Sequence, residues 1–491
     1  MGETMYEWID IREPADFAEL TKKLDADFEA PRVVKILQEG INSSVAGVLI
    51  EREYIDKDYR SVFYHFYAKM GRPYRSDCVR LHFFDSTVSF NAEELDFTCT
   101  DDITKLSDHY FGYMVLRPTS AVTIGRTALS PRVRKDALGD SIVSVHKAHV
   151  LGYTLKWNAF PSMDQHADIV VCAHVACWSI LRHYSERYSQ HRELLVHDIK
   201  VMAHAFDPGG LAPARGLDIY QAERVFQAAG TYPLVITRKS KEAPGDFYDQ
   251  LLAYLESGFP LFVEMLEEVH AIVAVGRTWQ LAETADAAPS NASSAWGKVA
   301  SVTVIDDNKL PYLSVPVRDD GQASYSADDF TRFIVPLPEK IFYPASAVAS
   351  YARTALSDML RGCLDMPAED DMVVRFFVMT IAKLREYARK SKTSLPKELV
   401  IGIMQLEAAQ FVWVVEFASN EQWANGQVSA RAVLDASAST KDICPTWLAY
   451  SAKKVLFFDR SIVPADAKFA PLTSAASALP RMEQNLRPVA S

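Results

Sequence analysis

Hydrophobic and polar positions change their spacing several times along the chain, and these changes predict both strands and helices. The stretches VAGVLIERE, VRLHFFD and FVWVVEF have the length and the β-branched or aromatic content typical of strands. A helix-like segment, DKDYRSVFYHFYAKM, lies between the first two. A further helix is predicted from Asp218, because Asp218 and Gln221 occupy capping-box positions and Gly230 follows as a stop signal.

Three regions can be separated by this pattern. Residues 1–148 indicate a mixed α/β module, without a nucleotide-cradling glycine loop. Residues 149–345 contain a helix candidate followed by three apolar, strand-like runs, FPLFVEM, HAIVAVG and SVTVID. Residues 346–491 indicate an α+β extension with a hairpin signal at Asn425-Gly426 and a mobile tail.

Composition limits the class of protein. The chain has 491 residues, 49% of them hydrophobic, and a formal net charge of -11, so we expect a globular protein of several domains with no nucleic-acid partner. Six scattered cysteines favour free thiols in a reducing compartment over a disulfide scaffold. No signal-peptide core opens the sequence, and the longest apolar stretch carries Gln and Glu residues, so we expect a cytoplasmic protein with no membrane partner.

The stretch DQHADIVVCAHVACWSILRHY holds the strongest candidate chemistry. It predicts a helix with Cys172 in its first turn, where the helix dipole and a neighbouring imidazolium favour a thiolate. A cysteine nucleophile also needs a histidine on a rigid element, a group that orients the histidine, and an oxyanion donor. His270 opens HAIVAVG, Asp306 ends SVTVID, and Gln165 lies upstream of the helix.

These segments resemble a known family. CAHVACWSILRHY, GFPLFVEMLEEVHAIVAVGRTW and VTVIDDN are similar, in this order, to the motifs of papain-like cysteine peptidases, and most of all to bacterial leader-processing peptidases of the double-glycine type. The resemblance implies an α+β fold, with a nucleophile helix packed on an antiparallel sheet. It also implies that Cys172 is the nucleophile, His270 the base, Asp306 the orienting group and Gln165 the oxyanion donor, with no metal or organic cofactor.

The resemblance implies a protein or peptide substrate, cleaved through a thioester. The regions on either side of 149–345 would restrict access, recruit a regulatory protein partner or hold the enzyme idle. Two other functions remain open: an acyltransferase that uses the same triad, and an inactive papain-like scaffold that binds a peptide or protein.

The nucleophile itself has an alternative. Leader-processing peptidases usually have glycine after the cysteine, and here Ala173 follows Cys172. Plant-type papains have tryptophan after it, which favours Cys177 before Trp178. Cys177, however, lies much farther from Gln165 than the papain-like spacing allows. We therefore prefer Cys172, and we interpret Trp178 as a structural, buried residue.

Two further alternatives concern the other site residues. Asp307 and Asn308 could orient the histidine in place of Asp306. A zinc site is possible in principle, although its H-x5-C-x-H-x2-C spacing is unlike that of standard zinc sites and a helix would point the ligands apart. Its ligands would be His166, Cys172, His174 and Cys177. Arg117 and Arg126 could bind an anion, and we interpret both as surface or structural residues.

Overall fold

The computed structural model describes residues 5–13, 15–24, 28–119, 123–165, 172–203, 217–239, 245–265, 270–280, 294–319, 321–392, 395–459, 466–473, 478–482 and 485–489. Within these ranges the chain has a mixed α+β fold, as the sequence predicts. The paired strands of its sheets run antiparallel.

The N-terminal part is a sheet covered on both faces. Its described elements are β1 (Tyr6–Asp10), α1 (Asp16–Lys23), α2 (Ala30–Gly40), β2 (Val45–Tyr54), α3 (Lys57–His65), β3 (Cys78–Asp85), β4 (Val88–Asn91), β5 (Asp96–Cys99), β6 (Tyr110–Leu116) and β7 (Ile124–Leu129). The sheet order is β1-β2-β3-β6-β7. Successive strand residues point to opposite faces, so Val48 and Ile50 pack with α1 and α2 while Leu49 joins the core on the other side.

The middle part centres on a second sheet. Its described elements are β8 (Asp140–Ser141), β9 (Ser144–Val150), β10 (Tyr153–Ala159), α4 (Cys172–Arg187), α5 (Val196–Ala203), α6 (Ile219–Ala228), β11 (Tyr232–Thr237), α7 (Gly245–Glu256), β12 (Leu261–Met265), β13 (His270–Trp279), β14 (Val299–Ile305), β15 (Leu313–Pro316) and β16 (Arg332–Leu337). The sheet order is β11-β16-β12-β13-β14-β15, and β9 and β10 form a separate hairpin. The predicted capping box is confirmed, since Asp218 and Gln221 each accept the other's main-chain N–H.

Helix α4 is enclosed along most of its length. Every residue from Ala173 to Tyr184 is buried, because the hairpin β9–β10, the strands β12 and β13 and the helices α5 and α6 pack around it. A helix surrounded in this way carries apolar residues on all its faces. The prediction that Trp178 is buried is confirmed: it is 1% exposed, and its indole N–H donates to Asp58 Oδ1 at 3.1 Å.

The C-terminal part adds a third sheet. Its described elements are α8 (Ala345–Tyr351), α9 (Ser357–Arg361), β17 (Met372–Thr380), α10 (Ile381–Lys390), α11 (Lys397–Gln405), β18 (Phe411–Ser419), α12 (Asn420–Ala424), β19 (Gln427–Val428), β20 (Ala430–Asp435), β21 (Thr446–Ser451), β22 (Lys454–Asp459), β23 (Asp466–Pro471), β24 (Leu479–Pro480) and β25 (Arg487–Pro488). The sheet order is β17-β18-β20-β21-β22-β23. The longest apolar stretch of the sequence is divided between α11 and β18, and no described helix is long and apolar enough to cross a membrane.

The hairpin signal at Asn425-Gly426 has a different role from the one predicted. Strands β18 and β20 do pair, but the short helix α12 stands between them in place of a two-residue turn. Ser419 and Gln422 form a capping box that starts this helix. Asn425 follows its last residue and Gly426 adopts φ 67, so the pair ends a helix, where a left-handed glycine is common.

The tail predicted to be mobile is packed in the parts that the structure describes. Leu479 and Met482 are buried, β24 pairs with β19, and β25 pairs with β8. The Asn485 side-chain amide donates to the main-chain carbonyls of Glu256 and Val378, at 3.3 and 2.8 Å. The polar, Ala/Ser-rich composition of the tail concealed these contacts, which depend on main-chain groups far away in the sequence.

The middle sheet takes strands from outside the predicted region 149–345. Strand β8 precedes this region and β25 follows it, and β8 lies between β13 and β25 in the sheet. The boundaries at 148 and 345 stay predictions, and the three sheets share one hydrophobic core cluster.

A chain of buried charges connects the middle and C-terminal sheets. Glu256 at the end of α7 accepts from Arg277 of β13, at 2.6 Å, and from Arg375 of β17. Arg375 also donates to Glu416 of β18 at 2.8 Å, and Arg431 of β20 donates to Glu416 at 2.6 Å. These side chains are between 0% and 2% exposed, so each charge depends on its partners for compensation.

Candidate active site

The first residue of α4 is Cys172. The described part of the helix has 16 residues, and the amide dipoles of a helix favour a negative charge near its N-terminus. Cys172 is half-buried, whereas Cys177 is 0% exposed and burial raises the pKa of its thiol well above the ordinary value. All six cysteines lie in the described ranges and are free thiols. Of the two candidate nucleophiles, Cys172 has the access and the position that a thiolate requires.

His270 is the first residue of β13. This strand is held on both sides, by β12 through the pair Met265 and His270 and by β14 through the pair Val273 and Ile305. Helix α4 packs directly against β13. As a result, Cys172 lies next to His270, and its thiol is one of the groups that raise the pKa of the imidazole.

Asp306 follows the last residue of β14, the strand next to β13. The distance between His270 Nε2 and Asp306 Oδ1 is 3.1 Å. The carboxylate is fixed by two donors: the main-chain N–H of Asn308 to Oδ1, at 2.9 Å, and the Tyr325 hydroxyl to Oδ2, at 2.8 Å. Helix α4 and the adjacent strands β13 and β14 thus place Cys172, His270 and Asp306 beside one another, and these are the residue types of a Cys-His-Asp triad.

The two alternative orienting residues lie beside this triad. Asp307 Oδ1 is 3.7 Å from His270 Nε2, farther than Asp306. The Asn308 side-chain amide donates to Asp307 Oδ1 at 3.0 Å. Among the described residues, Asp307 Oδ2 is buried and has no hydrogen-bond partner. Asp306 therefore makes the direct hydrogen bond, and Asp307 is a second buried carboxyl group behind it.

The electrostatics favour a charged imidazole. Burial alone would lower the pKa of His270, but its hydrogen bond with Asp306, its interaction with Cys172 and the nearby carboxylate charges outweigh burial and raise the pKa to about 10. Burial would raise the pKa of Asp306, but the hydrogen bond and charge of His270 hold it below its usual value. For Asp307, burial dominates and the Asp306 charge adds to it, so its pKa rises to about 7.

These shifts predict a pH profile. Peptide hydrolysis by a thiolate–imidazolium pair should be lost as pH rises through the His270 pKa of about 10, because the leaving group then receives no proton. In Asp306→Asn the alkaline limb should move to lower pH, while Asp307→Asn should move it less, because Asp307 makes no direct hydrogen bond with His270. Initial rates measured between pH 5 and 11 check this prediction; an unchanged limb in Asp306→Asn would contradict it.

The same ion pair affects stability in a defined pH range. The folded-state pKa of His270 lies above its ordinary value of 6.5, so the pair's contribution is fully present below pH 6.5 and is lost as pH rises towards 10.

Gln165 lies at the edge of the described segment that leads to α4. It is half-buried, and its main-chain carbonyl accepts a hydrogen bond from Arg117 at 3.4 Å. Residues 166–171, which connect it to Cys172, lie outside the described residues. The role of the Gln165 side chain as oxyanion donor stays a prediction.

The sequence offers His166, Cys172, His174 and Cys177 as possible zinc ligands. His166 of that set lies outside the described residues, and Cys177 is buried on α4 away from the helix start. Among the residues that the structure describes, three donor atoms within 4.8 Å of one another could hold a cation, and they belong to His270, Asp306 and Asp307. Two of these atoms already share the triad's hydrogen bond.

Tyr325 is the site residue that the sequence did not reveal. It follows β15 in a polar stretch, GQASYSADD, that has no periodicity and no motif. Its hydroxyl reaches Asp306 across 19 positions of the chain. No local pattern could have indicated it, because the contact depends on how the loop folds back over the end of β14.

Comparison of the chain with protein-family models, with curated proteins and with solved structures gives no match.

Proposed function

We propose that the protein is a cysteine peptidase of the papain-like type that cleaves a protein or peptide substrate. The observation that carries the proposal is the hydrogen bond between His270 and Asp306, with Cys172 beside it on the helix that packs against β13. The half-buried thiol, the raised pKa of the imidazole and the fixed carboxylate support it. A free thiol nucleophile suits the reducing cytoplasm.

In the first half-reaction the Cys172 thiolate attacks the carbonyl carbon of the scissile bond, and the carbonyl electron pair moves to oxygen. The Gln165 amide and the free N–H groups at the start of α4 would stabilise this oxyanion. When the carbon–nitrogen bond breaks, the His270 imidazolium gives its proton to the leaving amine, and the acyl group remains on sulfur as a thioester.

In the second half-reaction the neutral His270 removes a proton from water as the water attacks the thioester carbon. The carbon–sulfur bond breaks, the acid product leaves, and the thiolate and imidazolium are restored. Asp306 orients the ring throughout and compensates its positive charge, and Tyr325 keeps the carboxylate in place.

The proposal is tested by competitive alkylation with iodoacetamide at pH 6, followed by mass spectrometry of all six cysteines. Cys172 should react at least about tenfold faster than any other cysteine, because a thiolate at that pH requires a charged partner. Cys99, Cys363 and Cys444 are internal controls, since they have the same intermediate exposure and lack an imidazole partner in the site.

His270→Ala should reduce the Cys172 rate to that of the controls. Uniform labelling in the unaltered protein would instead favour a papain-like scaffold without catalysis. Incubation with a mixed peptide library, analysed for new termini, then identifies a substrate for kinetic work.

A further inference from the structure

The segment that leads into α4 pairs with the last strand of the N-terminal sheet through an isolated β-bridge. Thr127 of β7 and Ser162 exchange main-chain hydrogen bonds at 2.8 and 2.9 Å. Asp164 N–H donates to the carbonyl of Ile124, also on β7, at 3.2 Å. Strand β7 is the last strand in the sheet order, so its free edge receives this segment. The path of the chain just before the predicted oxyanion donor is therefore set by residues outside the 149–345 region.

Arg117 holds the end of this segment. It follows β6, is 2% exposed, and donates from one guanidinium nitrogen to the carbonyls of two consecutive residues, Asp164 at 3.3 Å and Gln165 at 3.4 Å. Enclosing a guanidinium in the protein interior is costly, and hydrogen bonds to main-chain carbonyls offset part of that cost.

A second arginine fixes the same segment from another element. Arg32 of α2 forms an ion pair with the buried carboxyl group of Asp164 at 3.2 Å. Main-chain bonds from β7, the Arg117 guanidinium and the Arg32 ion pair all converge on residues 162–165.

We propose that Arg117 is a positioning residue for Gln165. On this proposal, the N-terminal part of the chain holds the predicted oxyanion donor in place. This inference rests on the proposed function. An oxyanion donor acts only if its position is fixed before the reaction, and a displacement of about 1 Å can cost about a hundredfold in rate. Arg117 binds the carbonyl of the residue whose side chain must be placed.

The test compares Arg117→Met and Arg117→Lys with Arg126→Met. Arg126 is the matched control, because it is an arginine of the same module that binds Tyr54 and Asp56 and not the 162–165 segment. With the peptide substrate, Arg117→Met should lower kcat about 10- to 100-fold and change KM less than about threefold. Arg117→Lys should retain an intermediate kcat, and it carries the test if Arg117→Met does not fold.

Two measurements distinguish a positioning role of Arg117 from a general loss of structure. The iodoacetamide rate of Cys172 should change less than about threefold in both Arg117 variants, since alkylation needs the thiolate and not the oxyanion donor. In a Gln165→Ala background, Arg117→Met should cause little further loss of kcat, because the two residues act as one unit. Arg126→Met should lower the melting temperature but leave kcat within about threefold.

Three results would overturn the inference: an equal kcat loss in Arg126→Met, a parallel fall in the Cys172 alkylation rate, or losses that multiply in the double variant. Failure of the proposed function has a different signature. The unaltered protein would then show no selective alkylation of Cys172, and the inference would fall with it.

Discussion

Cys172→Ala is expected to abolish peptide hydrolysis, lowering kcat by at least about a thousandfold, while the protein remains folded. In the proposed mechanism the Cys172 thiol is the group that forms a bond to the substrate, and it is the cysteine that contributes to the raised pKa of His270. Alanine is compatible with the first position of a helix, so the melting temperature should change little. Kinetics on the library-derived peptide and a thermal melt of the same preparation check both parts.

Cys177→Ala is the matched control for that experiment. Cys177 lies on the same helix but is 0% exposed, so its replacement should leave kcat within about twofold and affect only packing. If Cys177→Ala abolished hydrolysis while Cys172→Ala did not, the nucleophile assignment would be wrong.

Glu416→Gln is expected to lower the free energy of unfolding by about 3–5 kcal/mol. Glu416 is 1% exposed and is the shared acceptor of Arg375, of Arg431 and of the main-chain N–H of Met482, at 2.8 Å for the last. Glutamine keeps the shape but removes the charge, which leaves two buried guanidinium groups undercompensated. Urea denaturation followed by circular dichroism measures the loss.

Glu386→Gln is the control for charge removal. Glu386 pairs with Lys390 on the solvent-exposed side of α10, at 2.9 Å, and solvent screens such a pair. Its unfolding midpoint should match that of the unaltered protein. A Glu416→Gln protein with an unshifted midpoint would show that the buried charges contribute little to stability.

The local parts of the site were predictable because local patterns determine them. The start of α4, the helix cap at Asp218 and the three strands β12, β13 and β14 follow from periodicity and cap residues that lie next to one another in the chain. Strands β13 and β14 are antiparallel neighbours. His270 at the start of β13 and Asp306 just after the end of β14 therefore lie at the same end of this strand pair.

The remaining parts depend on contacts between distant segments. Tyr325 reaches Asp306 from a loop without a pattern, and Arg117 supports the α4 entry from another sheet. The same holds for β8 and β25, which are two residues long and too short to carry an alternating pattern of their own. They are strands because β8 pairs with β13 and β25, and not because of their residue composition.

The packed tail has a consequence for the order in which the protein can fold during synthesis. Strand β25 completes an edge of the middle sheet, and Arg487 bonds with Asn158 across 329 positions. Synthesis proceeds from the N-terminus and contacts across long separations form slowly, so the nascent chain holds this sheet without its last strand until residue 487 has been made. Until Met482 has been made, Glu416 also lacks the hydrogen bond that the Met482 main-chain N–H donates to it. The middle sheet can therefore be completed only after residue 487 has been made, and a shorter nascent chain would expose the edge of β8.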